Sequence, residues 1–349
     1  MKIAIIGAGG VGGAFGAALA KAGADVWFLA RGAHLTAMRE NGLRIAGGRG
    51  ETHVVPTQAT SDPAAIGHAD IVLFCVKLWD VEDAGAHIAP IVGPNTAVVT
   101  LQNGIDAHER LIPILGAHAV MGGVAQISAT IEAPGLIRQT GAFMKLTFGE
   151  LSGPRQPRGE ALLALCQKAG FDAEHSDKIL TDLWLKFILL ATNSAITAAA
   201  RHPFGKLRDD PDIWPMFESG TREVVAIANA KGIPLPAGVV ERCLDMTRGM
   251  PATMMVDGAR PDQGQPDRAA VADRQSRRHG PRTGRADADP RGAERDVEAI
   301  YRWRERLKAW RRPGSGPAFP TLGRPPTIAR LLHSAAGAVN LPAGRSFVS

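Results

Sequence analysis

Six residues near the start of the chain, Gly7-Ala8-Gly9-Gly10-Val11-Gly12, could hold a phosphate without using a side chain. They fit G-x-G-x-x-G. In that pattern the first glycine permits a tight turn, the second lets a pyrophosphate approach the backbone, and the third lets a helix pack closely on a strand. The flanks agree with this reading. Lys2-Ile3-Ala4-Ile5-Ile6 is a short apolar run suited to a strand buried on both faces. Ala14 to Ala22 reads as a helix closed by Gly23, and Asp25 to Ala30 as a second strand. A helix starting there would aim free N–H groups and the positive end of its dipole at the phosphates. A merely tight structural turn would not require this complete strand–turn–helix–strand setting, so the pattern points to a dinucleotide.

Arg31 follows the second strand, where an NAD enzyme usually places Asp or Glu against the ribose hydroxyls. A guanidinium there suits the 2′-phosphate of NADP(H); its alternative is a solvated loop cation. Two more buried strands end on polar residues. Ala69 to Val76 leads to Lys77, and Ala97 to Leu101 leads to Gln102-Asn103-Gly104. Ligands of open α/β sheets bind at such carboxyl ends.

The elements needed to position these residues come in two kinds. Ala119 to Ile131 and Ala142 to Gly149 read as strands, Gly153 to Arg158 as a linker, Ala161 to Ala169 as a helix and Phe171 to Glu174 as a last strand. Beyond residue 175 the pattern is helical, over Leu183 to Ala200, Met216 to Ala230 and Val239 to Met250. A chain of 349 residues with 45% hydrophobic content suits two domains. Cys75, Cys166 and Cys243 fit no metal pattern, and an odd, scattered count suits reduced thiols in a cytoplasmic protein. No metal site is expected. The opening apolar run is too short for a signal peptide, and Phe187 to Ala200 is too short and too interrupted to span a bilayer. The net charge of +6 could suggest nucleic acid, but no basic–aromatic interleaving accompanies it. Neither a membrane nor a nucleic-acid partner is expected.

Together these residues resemble the ketopantoate reductase family (2-dehydropantoate 2-reductases). The resemblance rests on the glycine turn, Val76-Lys77, Leu101-Gln102-Asn103-Gly104-Ile105, Leu183-Trp184-Leu185-Lys186-Phe187, the stretch 194–201 and Thr253-Met254-Met255-Val256-Asp257. It covers residues 1 to about 257. It implies an α/β fold: an N-terminal Rossmann-type parallel sheet (1–174) and a C-terminal all-helical domain (175–312), as in 6-phosphogluconate dehydrogenase-like enzymes. It also implies NADPH-dependent reduction of 2-dehydropantoate to pantoate in pantothenate biosynthesis, and it is compatible with a homodimer. Lys186 matches the family's catalytic lysine, whose ammonium would protonate the developing alkoxide; the plain alternative is a surface lysine on an amphipathic helix. Asn103 matches the asparagine that binds substrate and nicotinamide, Lys77 a lysine near the cofactor phosphate, and Thr253 a substrate-binding serine. Asn193 and Ser194 stand near the family's helix asparagines, although Leu190 occupies one of those positions. Those departures leave open a related 2-keto acid or imine reductase.

One segment departs further. Gly258 to Asp296 holds nine Arg, no Lys and only one aliphatic residue larger than Ala, Val271. It is too poor in apolar groups to offset its conformational entropy. The family's substrate-binding Glu would fall at Gln265. With permitted codons, residues 264–284 read one base later as Gly-Asn-Arg-Ile-Glu-Leu-Pro-Trp-Leu-Thr-Gly-Lys-Val-Val-Asp-Met-Gly-Arg-Glu-Leu-Gly, which carries a Glu and a helical apolar pattern. A frameshift is therefore expected, with a natural disordered insertion as the alternative, and the second domain is expected to be disrupted after residue 257. A catalytically impaired NADPH-binding remnant is the functional counterpart. Residues 297–310 read as helical again, and the Pro/Gly-rich tail over 313–349 is expected to be poorly ordered.

Overall fold

The structure, a computed structural model, describes residues 1–252 with 201 and 203 excepted. Thr253, the Arg-rich segment 258–296, the helical pattern over 297–310 and the tail over 313–349 lie outside the described residues. The chain divides into two units. The first is Met1–Phe187 with Lys231–Leu235, and the second is Ile188–Ala230 with the described residues from Pro236 on.

The apolar runs of the first unit become neighbouring strands because each must hide both faces. β1 (Lys2–Ile6) passes through the glycine turn into α1 (Gly10–Lys21) and returns as β2 (Asp25–Leu29). After α2 (Gly32–Asn41) come three short strands, β3 (Leu43–Gly47), β4 (Thr52–Val54) and β5 (Gln58–Thr60). β6 (Ala69–Phe74), α3 (Val81–Ile88), β7 (Val92–Thr100), α4 (Ala107–Leu115) and β8 (Val120–Ala133) continue the alternation. In space the parallel strands lie in the order β5-β2-β1-β6-β7-β8. Numbered along the chain, those six run 3-2-1-4-5-6, the doubly wound Rossmann order. Its ligand crevice lies at the carboxyl ends, where the order reverses between β1 and β6.

Alternation along β1 serves both sides of the sheet. Ile3 and Ile5 join Phe15, Leu19 and Phe28 in one cluster, while Ala4 and Ile6 join Val72, Phe74 and Val98 in another. Each large side chain buried this way contributes about 1.5–3 kcal/mol. β8 then folds back on β9 (Leu136–Glu150) as a long antiparallel hairpin. The start of β9 reaches the far side of the unit and pairs in parallel with β3. α5 (Pro157–Lys168) and β10 (Asp172–His175), which pairs with β9, complete the ten-stranded sheet.

α6 (Ile179–Ala200) begins in the first unit and ends in the second. The second unit adds α7 (Phe204–Arg208), α8 (Trp214–Ala230) and α9 (Val239–Gly249). Its core gathers Ile196, Phe204, Phe217 and Leu244, with the Phe204 and Phe217 rings edge-on at 5.5 Å.

Several bounds differ from the sequence reading. α1 starts at Gly10 rather than Ala14, because its glycines, poor helix formers in isolation, are the residues that fit against the sheet. α5 starts at Pro157, inside the expected linker, where proline suits a first turn. β9 begins at Leu136 through polar residues that a hydrophobic pattern misses. The compact units part after Phe187 rather than at residue 174. α6 starts at Ile179, ahead of the expected Leu183. Its stretch Ile179–Thr197 is long and apolar enough, by length and composition, to cross a membrane, with mean hydropathy 1.4. Within it Ile179, Leu183, Trp184 and Ile188 are buried.

Candidate active site

The three pattern glycines meet three different constraints. Gly7 has φ +93°, a conformation that side chains resist, and sits against the backbone of Cys75 and Val76 at the end of β6. A Cβ at Gly9 would meet nothing within 4 Å, so the backbone is open for a ligand to approach. A Cβ at Gly12 would strike the Gly7 carbonyl and crowd Ile5 and Cys75, so that glycine lets α1 close on the sheet. This open cradle at a helix N-terminus fits a dinucleotide pyrophosphate. Gly10, which the pattern leaves unconstrained, is also fixed: a Cβ there would run into Ala129 of β8. Val11 is half-buried and Ala8 is buried. The Ala8 carbonyl accepts a hydrogen bond from His34 Nε2 at 2.9 Å, while the Gly135 N–H donates to His34 Nδ1 at 3.0 Å. The histidine thus ties the turn to the hairpin tip as a neutral ring, and burial lowers its pKa.

The same edge carries charge. Arg31 follows β2 after Ala30, and its side chain is 90% exposed. Lys77 and Asp80 follow β6, and the Asp80 N–H donates to the Lys77 carbonyl at 2.9 Å in a tight turn. The Arg31 guanidinium stands 3.9 Å from the Asp80 carboxylate. Nothing in the local sequence around Asp80 marks it as a functional residue.

Beyond β7, Gln102 is buried and its amide donates to the carbonyls of Phe74 and Val76 at 2.7 and 3.1 Å. It fastens the end of β7 to the end of β6. Asn103, the next residue, is exposed, and Gly104 turns the chain at φ +124°. Gln102 therefore positions the loop that offers Asn103.

Lys186 owes its place to a helical stripe. Ile179 and Leu183, at spacing i and i+4, pack with Val124 of β8 in one small cluster. Lys186, at i+7, continues that face and donates from Nζ to the Ala125 carbonyl of β8 at 2.8 Å. Ala125 lies four residues beyond Met121, which pairs with Val99, so the ammonium is held by the strand next to the one that leads to Asn103. Burial pushes the ammonium down to about 8, because removal from water disfavours the charged form. An ammonium has three N–H donors, so two remain after the bond to Ala125.

The other expected residues fall elsewhere. In the second unit Asn193 is buried, its amide nitrogen lying 3.4 Å from both the Thr247 hydroxyl and the Met250 sulfur. That bonding links α6 to α9. Ser194 is half-buried. The turn, Arg31, Lys77, Asn103 and Lys186 thus share the first unit, on or next to the carboxyl ends of its parallel strands.

The fold and this edge define a Rossmann-type oxidoreductase with a helical second domain. Residues 3–153 match the family described as ketopantoate reductase PanE/ApbA, and residues 178–261 match its C-terminal domain. The 2-dehydropantoate 2-reductase of Mesorhizobium japonicum is 32% identical over 263 residues, 69% of this chain and 80% of its own. Among solved structures, a 2-dehydropantoate 2-reductase from Porphyromonas gingivalis matches with TM-score 0.68 and 31% identity, covering 80% of this chain and 94% of that one. A ketopantoate reductase structure from Ralstonia solanacearum matches with TM-score 0.67 and 33% identity, covering 74% and 85%. The chain belongs to the ketopantoate reductase family.

Proposed function

We propose that the chain reduces 2-dehydropantoate to pantoate with NADPH, the reductive step toward pantothenate. The observation that carries this reading is Lys186, a lysine held in a fixed place and tuned to about 8 by burial. A nicotinamide held by the Gly7–Gly12 turn would supply the hydride for the keto carbon. Lys186 meets the charge that develops on the keto oxygen: its Nζ–H bond breaks, the new O–H bond forms, and the amine is left neutral on its bond to Ala125. A group that titrates near the working pH suits such a transfer, since both forms are accessible. Asn103 orients the substrate from the neighbouring loop. The Gly7–Gly12 turn holds the pyrophosphate, and Arg31 and Lys77 meet the remaining phosphate charge. Asn193, Ser194 and Thr253 stay substrate-binding expectations on the strength of the resemblance.

The test is NADPH oxidation by the full chain with 2-dehydropantoate, in the wild type and in Lys186→Ala. General acids contribute about 10²–10⁴-fold, so turnover should fall by that factor while NADPH affinity stays within about twofold. A variant that keeps its turnover would reduce Lys186 to a packing residue. A panel of 2-keto acids would show whether Leu190 and Ser194 redirect specificity.

The second reading is an impaired remnant that binds NADPH without turnover. It is favoured by the composition of Gly258 to Asp296 and by the end of the family match at residue 261. Sequencing the gene across these codons, then comparing the written and frame-restored proteins for melting temperature and NADPH oxidation, separates the two. Equal stability and equal turnover would dismiss the remnant.

A further inference from the structure

We propose that Asp80 sets the cofactor preference of this chain by competing with the cofactor's 2′-phosphate for Arg31. The inference rests on the NADPH reading of Arg31 given above and extends it to a residue with no assigned role.

Topology makes the pair unusual. Arg31 leaves β2 and Asp80 follows β6, and these strands flank β1 on either side. Neighbouring strands lie about 4.8 Å apart, so the ends of β2 and β6, beyond which the two residues lie, are about 10 Å apart with the mouth of β1, and hence the glycine turn, between them. Their charged ends nevertheless stand 3.9 Å from each other. The two partners are not equally free. Asp80 sits on a turn closed by its own N–H and its side chain is 31% exposed, against 90% for Arg31. Asp80 is therefore the fixed partner and Arg31 the movable one. The Asp80 side chain makes no capping bond to α3, which leaves its carboxylate available to other groups.

The chemistry follows from what each group can bind. A 2′-phosphate arriving at Arg31 must draw the guanidinium away from a carboxylate of its own charge sign. A ribose bearing a 2′-hydroxyl makes no such demand, and its O–H can donate to that carboxylate. NAD enzymes obtain the same service from an acid at the end of the second strand; here the acid comes from beyond β6. Arg31 favours NADPH, Asp80 subtracts from that advantage, and the outcome is a shallow preference.

The experiment titrates NADPH and NADH separately against the full-length wild type, Asp80→Asn, Arg31→Ala and the double variant. Melting temperatures confirm that these surface changes leave the fold intact. Asp80→Asn should tighten NADPH about three- to tenfold, a range set by releasing one exposed guanidinium–carboxylate pair, and leave NADH unchanged or weaker. Raising the salt should shrink the gain, because exposed charges are screened. The gain should vanish in the Arg31→Ala background, as competition for that side chain requires. If Asp80→Asn leaves NADPH affinity unchanged or weakens it, the inference is overturned. The two layers fail differently. An Arg31→Ala variant with full NADPH affinity sinks the cofactor reading and this inference with it, whereas a loss there with no gain in Asp80→Asn sinks the inference alone.

Discussion

Arg31 and Lys186 are two cations on the same unit, and the sheet treats them in opposite ways. Arg31 stands almost wholly in water beside Asp80, while Lys186 is drawn toward β8 and held down at about 8 by burial. A hydrated guanidinium serves as an adjustable grip on phosphate. A desolvated ammonium gives up part of its charge, and for that reason can give up a proton. Recognition and chemistry thus require contrary environments, supplied here by an exposed strand end and a helix stripe packed on a strand.

The largest effect that could break this contrast lies in pH. With Lys186 as the proposed proton donor, kcat/KM should be level below about 8 and fall tenfold per unit above it. A rate that stays level to pH 10 would show that Lys186 is not the proton donor.

A second expectation concerns stability, where the sign reverses. The folded lysine titrates near 8 and the unfolded one near its ordinary 10.5. Between those values the unfolded chain holds more protons, so stability rises with pH there while activity falls. Lys186→Met should therefore be more stable than the wild type at pH 7, by up to a few kcal/mol, with the gap closing toward pH 10.5. Denaturant titrations at four pH values would measure it, and a variant less stable at pH 7 would point to packing as the lysine's main task.

A third comparison separates two glycines of one turn. Gly12→Ala should lower the melting temperature by several degrees, since its methyl would meet the Gly7 carbonyl and misfits of this kind cost about 1–3 kcal/mol. Gly9→Ala should melt with the wild type yet bind cofactor weakly, because its methyl fills open space. If the two behave alike, the division of roles within the turn is wrong.

The smallest effect belongs to the exposed cation. Arg31→Ala should weaken NADPH about tenfold, at the low end of charge-assisted bonds because of its exposure, and NADH hardly at all. The difference should shrink between low and high salt in a titration followed by fluorescence. An unchanged NADPH affinity would return Arg31 to the status of a solvated loop residue.

What the sequence made legible was local. The run Lys2–Ile6, the glycine turn and the strand from Asp25 are determined by neighbours in the chain, and they lie within a residue or so of where they were read. The strand leading to Lys77 was legible in the same way, because an apolar run closed by a polar residue is a one-dimensional signal. β3, β4, β5, α2, α3 and α4 escaped, being short or only half apolar. The residues that complete the candidate site escaped for another reason. His34 matters because Gly135 comes to it, Asp80 because Arg31 leans over β1, and Gly10 because Ala129 lies against it. None of those meetings leaves a mark at either position taken alone. Lys186 was legible only through its resemblance, and what the structure adds is the physical cause of its tuning.

The reach of β9 across to β3 also has a meaning in time. A ribosome that has released the first 80 residues has already made the glycine turn, Arg31 and Lys77. The strands that wall in Gly10 and Gly13, and the hairpin tip that His34 grasps 101 residues away, are still to come. Contacts so distant along the chain form late, because the intervening loop must first be closed. The nucleotide cradle is thus written first but closed only once the hairpin has been made. An early nascent chain keeps its apolar strands uncovered until the hairpin emerges, and exposed strand edges of that kind are prone to aggregation.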